Sequence, residues 1–161
     1  MQQPLDSPRI VSINTSGGGV PKRPVERARV TRGGVEGDRQ RDRRFHGGPD
    51  RAVSLYSAER IEALRAEGHP IAAGTTGENV TVAGVDWQAV VPGARLRLGD
   101  VLVEVTAYAT PCKNIRGSFA GEEFTRISQK KHAGWSRVYA RVVEEGEMRV
   151  GAPVEVIPAR G

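Results

Sequence analysis

The chain has 161 residues and a mass of 17.4 kDa, enough for one domain and too short for two full ones. Hydrophobic residues make up 38% and charged residues 27%, a globular balance, while aromatics at 5% leave the core to Val, Ile, Leu and Ala. The net charge is +5, and a single cysteine, Cys112, excludes an internal disulfide framework and any multi-thiolate structural zinc site.

Residues 1–9 carry Pro and Asp where a signal peptide is apolar, and no apolar run approaches the roughly 18 residues that span a bilayer, so a cytoplasmic protein with no membrane partner is expected. Residues 9–14 (RIVSIN) alternate apolar and polar with period two and stop at Gly17, Gly18 and Gly19, which predicts a first strand running into a loop. Residues 24–30 (PVERARV) predict a second strand and 51–56 (RAVSLY) a third, on either side of a charged stretch containing His46, Gly47 and Gly48. The segment 57–67 (SAERIEALRAE) predicts a helix, capped by Ser57, with Glu59 in the first turn, a narrow stripe at Ile61 and Leu64, and Gly68 to end it. Strands are expected again at 78–85, at 94–98 and 101–108 as a hairpin through Gly99 and Asp100, and at 138–144 and 150–157 around a turn near Gly146. Residues 115–131 have mixed character, with room for a short helix.

The 20 Gly and 10 Pro are spread through the chain, and around eight short strands with so little helix predict a mainly β domain, a small closed or nearly closed barrel with one or two short helices. The domain is expected to occupy 1–161, with a core over about 9–158. A βαβ sheet is not expected, because too few helices are available to cover both faces of a parallel sheet.

Charge is concentrated rather than spread. Between positions 21 and 51 stand ten basic residues against five acidic ones, an excess equal to that of the whole chain. An anionic ligand is therefore sought first in this glycine-rich segment, although a solvated basic face would look the same. Within it, the run His46-Gly47-Gly48-Pro49-Asp50-Arg51 joins a proton carrier, two permissive glycines, a carboxylate and a guanidinium just before a strand. Such a loop either cradles a phosphate or polar ring, or merely turns the chain while Asp50 and Arg51 pair on the surface.

Cys112 follows Pro111 at the end of a long apolar strand, with Lys113 and Arg116 placing positive charge beside it. That is the setting in which a thiolate attacks electrophiles, carries sulfur or ligates a soft metal; a small buried hydrophobe is the alternative. Gly77-Glu78-Asn79 offers a further polar group at a strand start. His69 and His132 have polar neighbours and no partner at metal-ligand spacing.

Seven pieces in order carry a resemblance: Pro24-Val25-Glu26-Arg27-Ala28, Gly37-Asp38-Arg39, the run from His46 to Val53, Gly77-Glu78-Asn79-Val80-Thr81-Val82 with Gly84, Leu98-Gly99-Asp100, Pro111-Cys112, and Tyr139-Ala140-Arg141-Val142 with Gly146. Over nearly the whole chain they resemble the MOSC domain, the family named for the C-terminal domain of molybdenum cofactor sulfurase, and in particular its small stand-alone bacterial members. The resemblance implies a barrel-like fold in which Cys112 ligates molybdenum in a bound pterin cofactor or bears a persulfide. By position it implies phosphate or pterin contacts from Lys22, Arg51 and Arg141, ring or loop orientation by His46, Asp50 and Asn79, and cofactor contacts from Lys113 and Asn114. It further implies reduction of small N-hydroxylated or other N-oxygenated compounds, with electrons from a separate protein because no redox domain is fused; pyridoxal phosphate is not the cofactor expected. The chain departs from reductase-like relatives in ending at Gly161, just past the last strand, where they carry a helical segment, and in approaching the tyrosine through Gly134-Trp135-Ser136-Arg137 rather than a glycine-rich run.

Two other readings compete. A sulfur carrier would hold a persulfide on Cys112 without turning over an external substrate. A basic barrel could bind nucleic acid, but the chain lacks the exposed aromatic stripe on which single strands stack, so this partner is not expected.

Overall fold

The computed structural model describes residues 7–18, 20–38 and 48–160. Eleven strands form two sheets among these residues: β1 (Arg9–Thr15), β2 (Arg23–Val25), β3 (Arg27–Thr31), β4 (Gly34–Val35), β5 (Val53–Ser57), β6 (Val80–Ala83), β7 (Arg95–Leu98), β8 (Val101–Tyr108), β9 (Val138–Glu144), β10 (Gly146–Arg149) and β11 (Val154–Ile157). The larger sheet has eight strands in the order β11-β7-β8-β9-β5-β6-β1-β2; the smaller is β10-β3-β4.

The large sheet curls until its ends nearly meet. Ile10 N–H donates to Ala152 O at 2.9 Å, Gly151 N–H to Ile10 O at 2.8 Å and Val154 N–H to Pro8 O at 3.1 Å, so the start of β1 is tied to the turn that leads into β11. The barrel is bridged here by loop bonds rather than closed by a continuous ladder. Alternation along the strands points Leu96, Leu98, Val101, Val103, Val105, Val138, Ala140 and Val142 inward, all buried in one apolar cluster with Ile10, Ile13, Val80 and Val82.

The helix α1 (Ala58–Ala66) forms where the sequence signals place it. Ser57 Oγ accepts from Arg60 N–H at 3.1 Å, Ile61 and Leu64 bury the stripe, and Gly68 takes φ 101° as the chain leaves the helix. The β7–β8 hairpin turns through Gly99 and Asp100 as expected, with Leu98 facing Val101.

Four expectations are corrected. Residues 24–30 are not one strand: Glu26 breaks the run, β2 pairs with β1 in the large sheet, and β3 pairs with β10 and β4 in the small one. Gly146 does not turn a hairpin but opens β10, where the chain passes from one sheet to the other; a Cβ there would sit 2.9 Å from Asp100 Cβ. Arg51 belongs to a 3-10 turn, Pro49–Arg51, and β5 begins after it. No βαβ sheet forms, as expected: one βαβ unit is present, where β5 and β6 run parallel across α1, and every other strand pair is antiparallel. One helix suffices because one parallel pair needs only one crossover. In 115–131, 3-10 turns at Lys113–Ser118, Ala120–Glu122 and Phe124–Ile127 take the place of a single short helix. No helix among the described residues is long and apolar enough to cross a membrane.

Candidate functional site

The loop between α1 and β6, residues 67–79, is where the polar interior and the cysteine end of the sheet meet. On one side of it lies a buried cluster. Lys22 Nζ donates to Asp38 Oδ2 at 2.5 Å, and both side chains are almost out of water, at 7% and 6% exposure. Asn79 Nδ2 donates to the same oxygen at 2.8 Å, and Ser16 N–H donates to Oδ1 at 2.9 Å. Asn79 Oδ1 in turn accepts from Ser54 N–H at 3.0 Å and Ser54 Oγ at 3.2 Å. Such charge-assisted bonds repay burial only when each group is met, and here they are.

Glu78 is wholly buried beside this cluster. Gly74 N–H donates to its Oε2 at 3.0 Å, Thr81 Oγ1 to Oε2 at 3.2 Å and Thr76 Oγ1 to Oε1 at 2.8 Å. Burial nevertheless pushes the carboxyl above the ordinary carboxylate range, outweighing those bonds and the nearby Arg137 charge. Gly74 is obligatory in this arrangement: its φ is 82°, and a Cβ would fall 2.5 Å from Lys22 O.

On the other side of the loop lies Cys112, half-buried, at the start of the Lys113–Ser118 turn. Its carbonyl accepts from Ile115 N–H at 3.1 Å, while its sulfur makes no hydrogen bond to any described residue. Two anchors hold this segment. Ala109 N–H donates to Arg137 O at 2.9 Å, pinning the end of the strand, and Ser118 Oγ donates to Thr75 Oγ1 at 2.9 Å, pinning the end of the turn. Lys113 and Asn114 are exposed next to the thiol; Arg116 donates from Nη1 to Lys113 O at 3.0 Å and has its Nε 3.3 Å from Glu122 Oε2.

Arg137 also reaches the loop. It is 8% exposed, its Nη1 donates to Thr76 O at 2.6 Å, and its buried Nε has no partner. The approach to it is stiffly held: Trp135 lies under two guanidinium groups, Arg60 at 4.8 Å and Arg126 at 4.1 Å from the ring centroid, and its carbonyl accepts from Tyr56 Oη at 2.6 Å. A cavity of about 290 Å³ opens nearby, lined by Trp87, Val90, Tyr108, Gln129, Gly134 and Ser136 among others. Tyr108 and Ser136 are the chain neighbours of Ala109 and Arg137, so cavity and cysteine share the same end of the β8–β9 ladder.

The expected site residues fall into three groups. Arg51 lies with its guanidinium 5.1 Å from the Tyr139 ring centroid, and Thr106 Oγ1 bonds Asp50 O, which seats the Pro49–Arg51 turn on β8 and β9 toward their Cys112 end. Lys22 and Asn79 are brought together by Asp38. Arg141 stands further down the ladder, where Nε and Nη2 hold Glu104 Oε2 at 3.2 and 3.0 Å; that pairing, with the Arg95 bond first, holds the Glu104 carboxyl below its ordinary range. His46 lies outside the described residues. His69 is buried but keeps polar neighbours, accepting from Ala120 N–H at Nδ1 at 3.0 Å with Nε2 3.6 Å from Glu67 Oε1, and it packs edge-on to Phe119. No cluster of three His, Cys, Asp or Glu residues suited to a metal occurs among the described residues.

Asp38, Glu78 and Arg137 are the residues that sequence reasoning did not single out. Asp38 and Glu78 were visible as parts of Gly-Asp and Gly-Glu-Asn pieces, but only the pairing of β1 with both β2 and β6 brings them into one cluster. Arg137 was visible only as a departure from a glycine-rich approach.

A bound metal at Cys112 would need a deprotonated sulfur that is reachable and otherwise unbonded; this thiol is half-exposed and its sulfur is bonded to none of the described residues. The donor chemistry therefore fits a soft metal held by one protein thiolate together with ligands from a cofactor.

The chain is similar to several known proteins. YflK of Bacillus subtilis (strain 168) is 35% identical over 144 residues, covering 86% of this chain and 63% of that protein. A protein of Gibberella moniliformis (strain M3125 / FGSC 7600) named Reductase is 30% identical over 118 residues, covering 70% of this chain and 20% of that one. The crystal structure of YiiM from Geobacillus stearothermophilus matches with a TM-score of 0.70 at 28% identity, over 93% of this chain and 75% of that one. The chain thus spans about six-tenths of the length of YflK and of YiiM from Escherichia coli (strain K12), 63% and 58%. The family model described as MOSC domain matches residues 42–155, from ahead of the Pro49–Arg51 turn through Cys112 into the last strand, and the chain belongs to the MOSC family.

Proposed function

We propose that this protein binds a molybdenum–pterin cofactor through Cys112 and reduces small N-hydroxylated or other N-oxygenated compounds in the cytoplasm, with electrons from a separate protein. The observation that carries the reading is the state of the thiol: Cys112 is half-buried, pinned on both sides, and its sulfur takes no hydrogen bond from the described residues. Membership of the family and the name of the fungal relative support the chemistry assigned to it.

When bound, the cofactor supplies the two-electron removal of oxygen from nitrogen, chemistry that no side chain performs. Overall, an N–O bond breaks, two electrons come from the donor protein, two protons come from solvent, and water leaves. The chain's own residues do the placing. Cys112 holds the metal, and the Ala109–Arg137 and Ser118–Thr75 bonds fix where its sulfur stands. Arg51, carried on its turn, presents a guanidinium to an anionic group, while exposed Lys113 and Asn114 offer donors beside the thiol. Lys22 and Asn79 act through Asp38 as positioning residues for the loop that backs the site. The cavity beside Tyr108 takes a small molecule and no more.

Metal and pterin analysis of protein made in a host that synthesises the cofactor tests the reading. Near-stoichiometric molybdenum that disappears in Cys112→Ala supports it. Absence of molybdenum from both proteins, with a persulfide on Cys112 of the wild type, replaces it with the sulfur-carrier reading.

A further inference from the structure

Among the described residues several arginines rest their guanidinium groups against the sheet and its loops; of Arg126, Arg137 and Arg141, two use the same edge. Arg126 gives Nε and Nη2 to Glu67, at 2.9 and 2.7 Å, and Arg141 gives Nε and Nη2 to Glu104. The Nε and Nη2 hydrogens point the same way and match the two oxygens of a carboxylate or phosphate. Arg137 breaks the pattern. It is the most buried of the three at 8% exposure, its Nη1 is anchored on Thr76 O, and no described residue meets either Nε or Nη2. Nε is sealed, whereas Nη2 is not among the buried unpartnered atoms and so keeps access to the outside.

A buried guanidinium is always charged and is expensive to leave without an anion. Glu78 offsets part of that charge through space, but its oxygens are taken by Gly74, Thr76 and Thr81. The remaining requirement is an oxyanion at Nη2, the unbonded nitrogen of the group that is open. It lies at the same end of the sheet as the cysteine: the backbone of Arg137 pins Ala109, its side chain ends on Thr76 O, and the turn after Cys112 ends on Thr75.

The geometry points to Arg137 as an oxyanion-binding residue at the Cys112 end of the sheet, its open Nη2 donating to an oxygen of a phosphate or carboxylate group from a ligand. That this oxyanion is the phosphate of the cofactor rests on the function proposed above; the oxyanion site itself does not.

The test uses cofactor-free full-length protein and inorganic phosphate as the probe, with chloride at matched ionic strength as the control. Wild type should show a saturable rise in Tm of about 5 °C that Arg137→Met loses. An equal rise in both proteins, or none in the wild type, overturns the inference. Should Arg137→Met fail to fold, the guanidinium Nε–H resonance of wild-type Arg137, assigned by its loss in Arg137→Lys, decides instead: displacement by phosphate but not chloride supports the site, and no displacement overturns it. The source follows from cofactor-loaded protein. Weaker pterin retention in Arg137→Met assigns the oxyanion to the cofactor, and equal retention with the phosphate response intact assigns it to a substrate or free anion. A wild type that lacks molybdenum yet shows the phosphate response sinks the proposed function and leaves the oxyanion site standing.

Discussion

The cluster around Asp38 and the end of the sheet at Cys112 both take polar groups out of water and leave them in opposite states. Around Asp38, a buried ammonium, a carboxylate and an amide meet one another within 2.5 to 2.8 Å. Around Cys112, a thiol and a buried guanidinium edge have no partner from the described protein. Buried polar groups need partners, so the first arrangement is closed structure and the second waits for something from outside. Between them runs one loop, residues 67–79, to which both are bonded. The polar interior therefore sets the position of the site without taking part in it.

That contrast is sharpest at Asp38. Asp38→Ala strands the buried Lys22 ammonium and should cost about 3–5 kcal/mol in urea unfolding, while the double change Asp38→Leu with Lys22→Met should recover most of it. A loss well under 1 kcal/mol for the single change would mean that Lys22 is not held by Asp38 and is available to a ligand.

A smaller effect is expected from Glu78, and it depends on pH. Burial raises the folded carboxyl above its ordinary 4.5, so the native state holds the proton more tightly than the unfolded chain. Its contribution to stability is then full below 4.5 and is lost as pH climbs through the folded value. Glu78→Gln should flatten this part of the profile, read as urea midpoints of both proteins from about pH 4 to 8. A wild-type profile that rises with pH relative to the variant would reverse the sign and contradict the assignment.

The smallest effect belongs to the surface. Glu144 pairs with Arg97 at 3.0 Å, but the two side chains are 54% and 36% exposed. Glu144→Ala should change stability by no more than about 0.5 kcal/mol, which marks the scale of ion pairs that water already serves.

Much of this was legible in the chain. Period-two alternation located β1, β7, β8 and β9, and the Ser57 cap with Gly68 bounded α1, because both signals are local. Cys112 stood out because a proline ends an apolar strand just before it. Where one local run served two sheets, as at 24–30, alternation could not see the break, since the pattern continues through Glu26 while the pairing partner changes. The partners of Lys22, Asn79 and Arg141 were equally invisible: each is a carboxylate far away in sequence, delivered by strand pairing or by a loop. Arg137 was hidden for a different reason, because an arginine reads as surface until the structure shows it buried.

The central claim is that Cys112 supplies a sulfur to molybdenum. X-ray absorption at the molybdenum edge, on wild type and on Cys112→Ser loaded in the same host, tests it most directly. The account predicts one molybdenum–sulfur scatterer fewer in the variant, and an unchanged sulfur shell in the two proteins would contradict it.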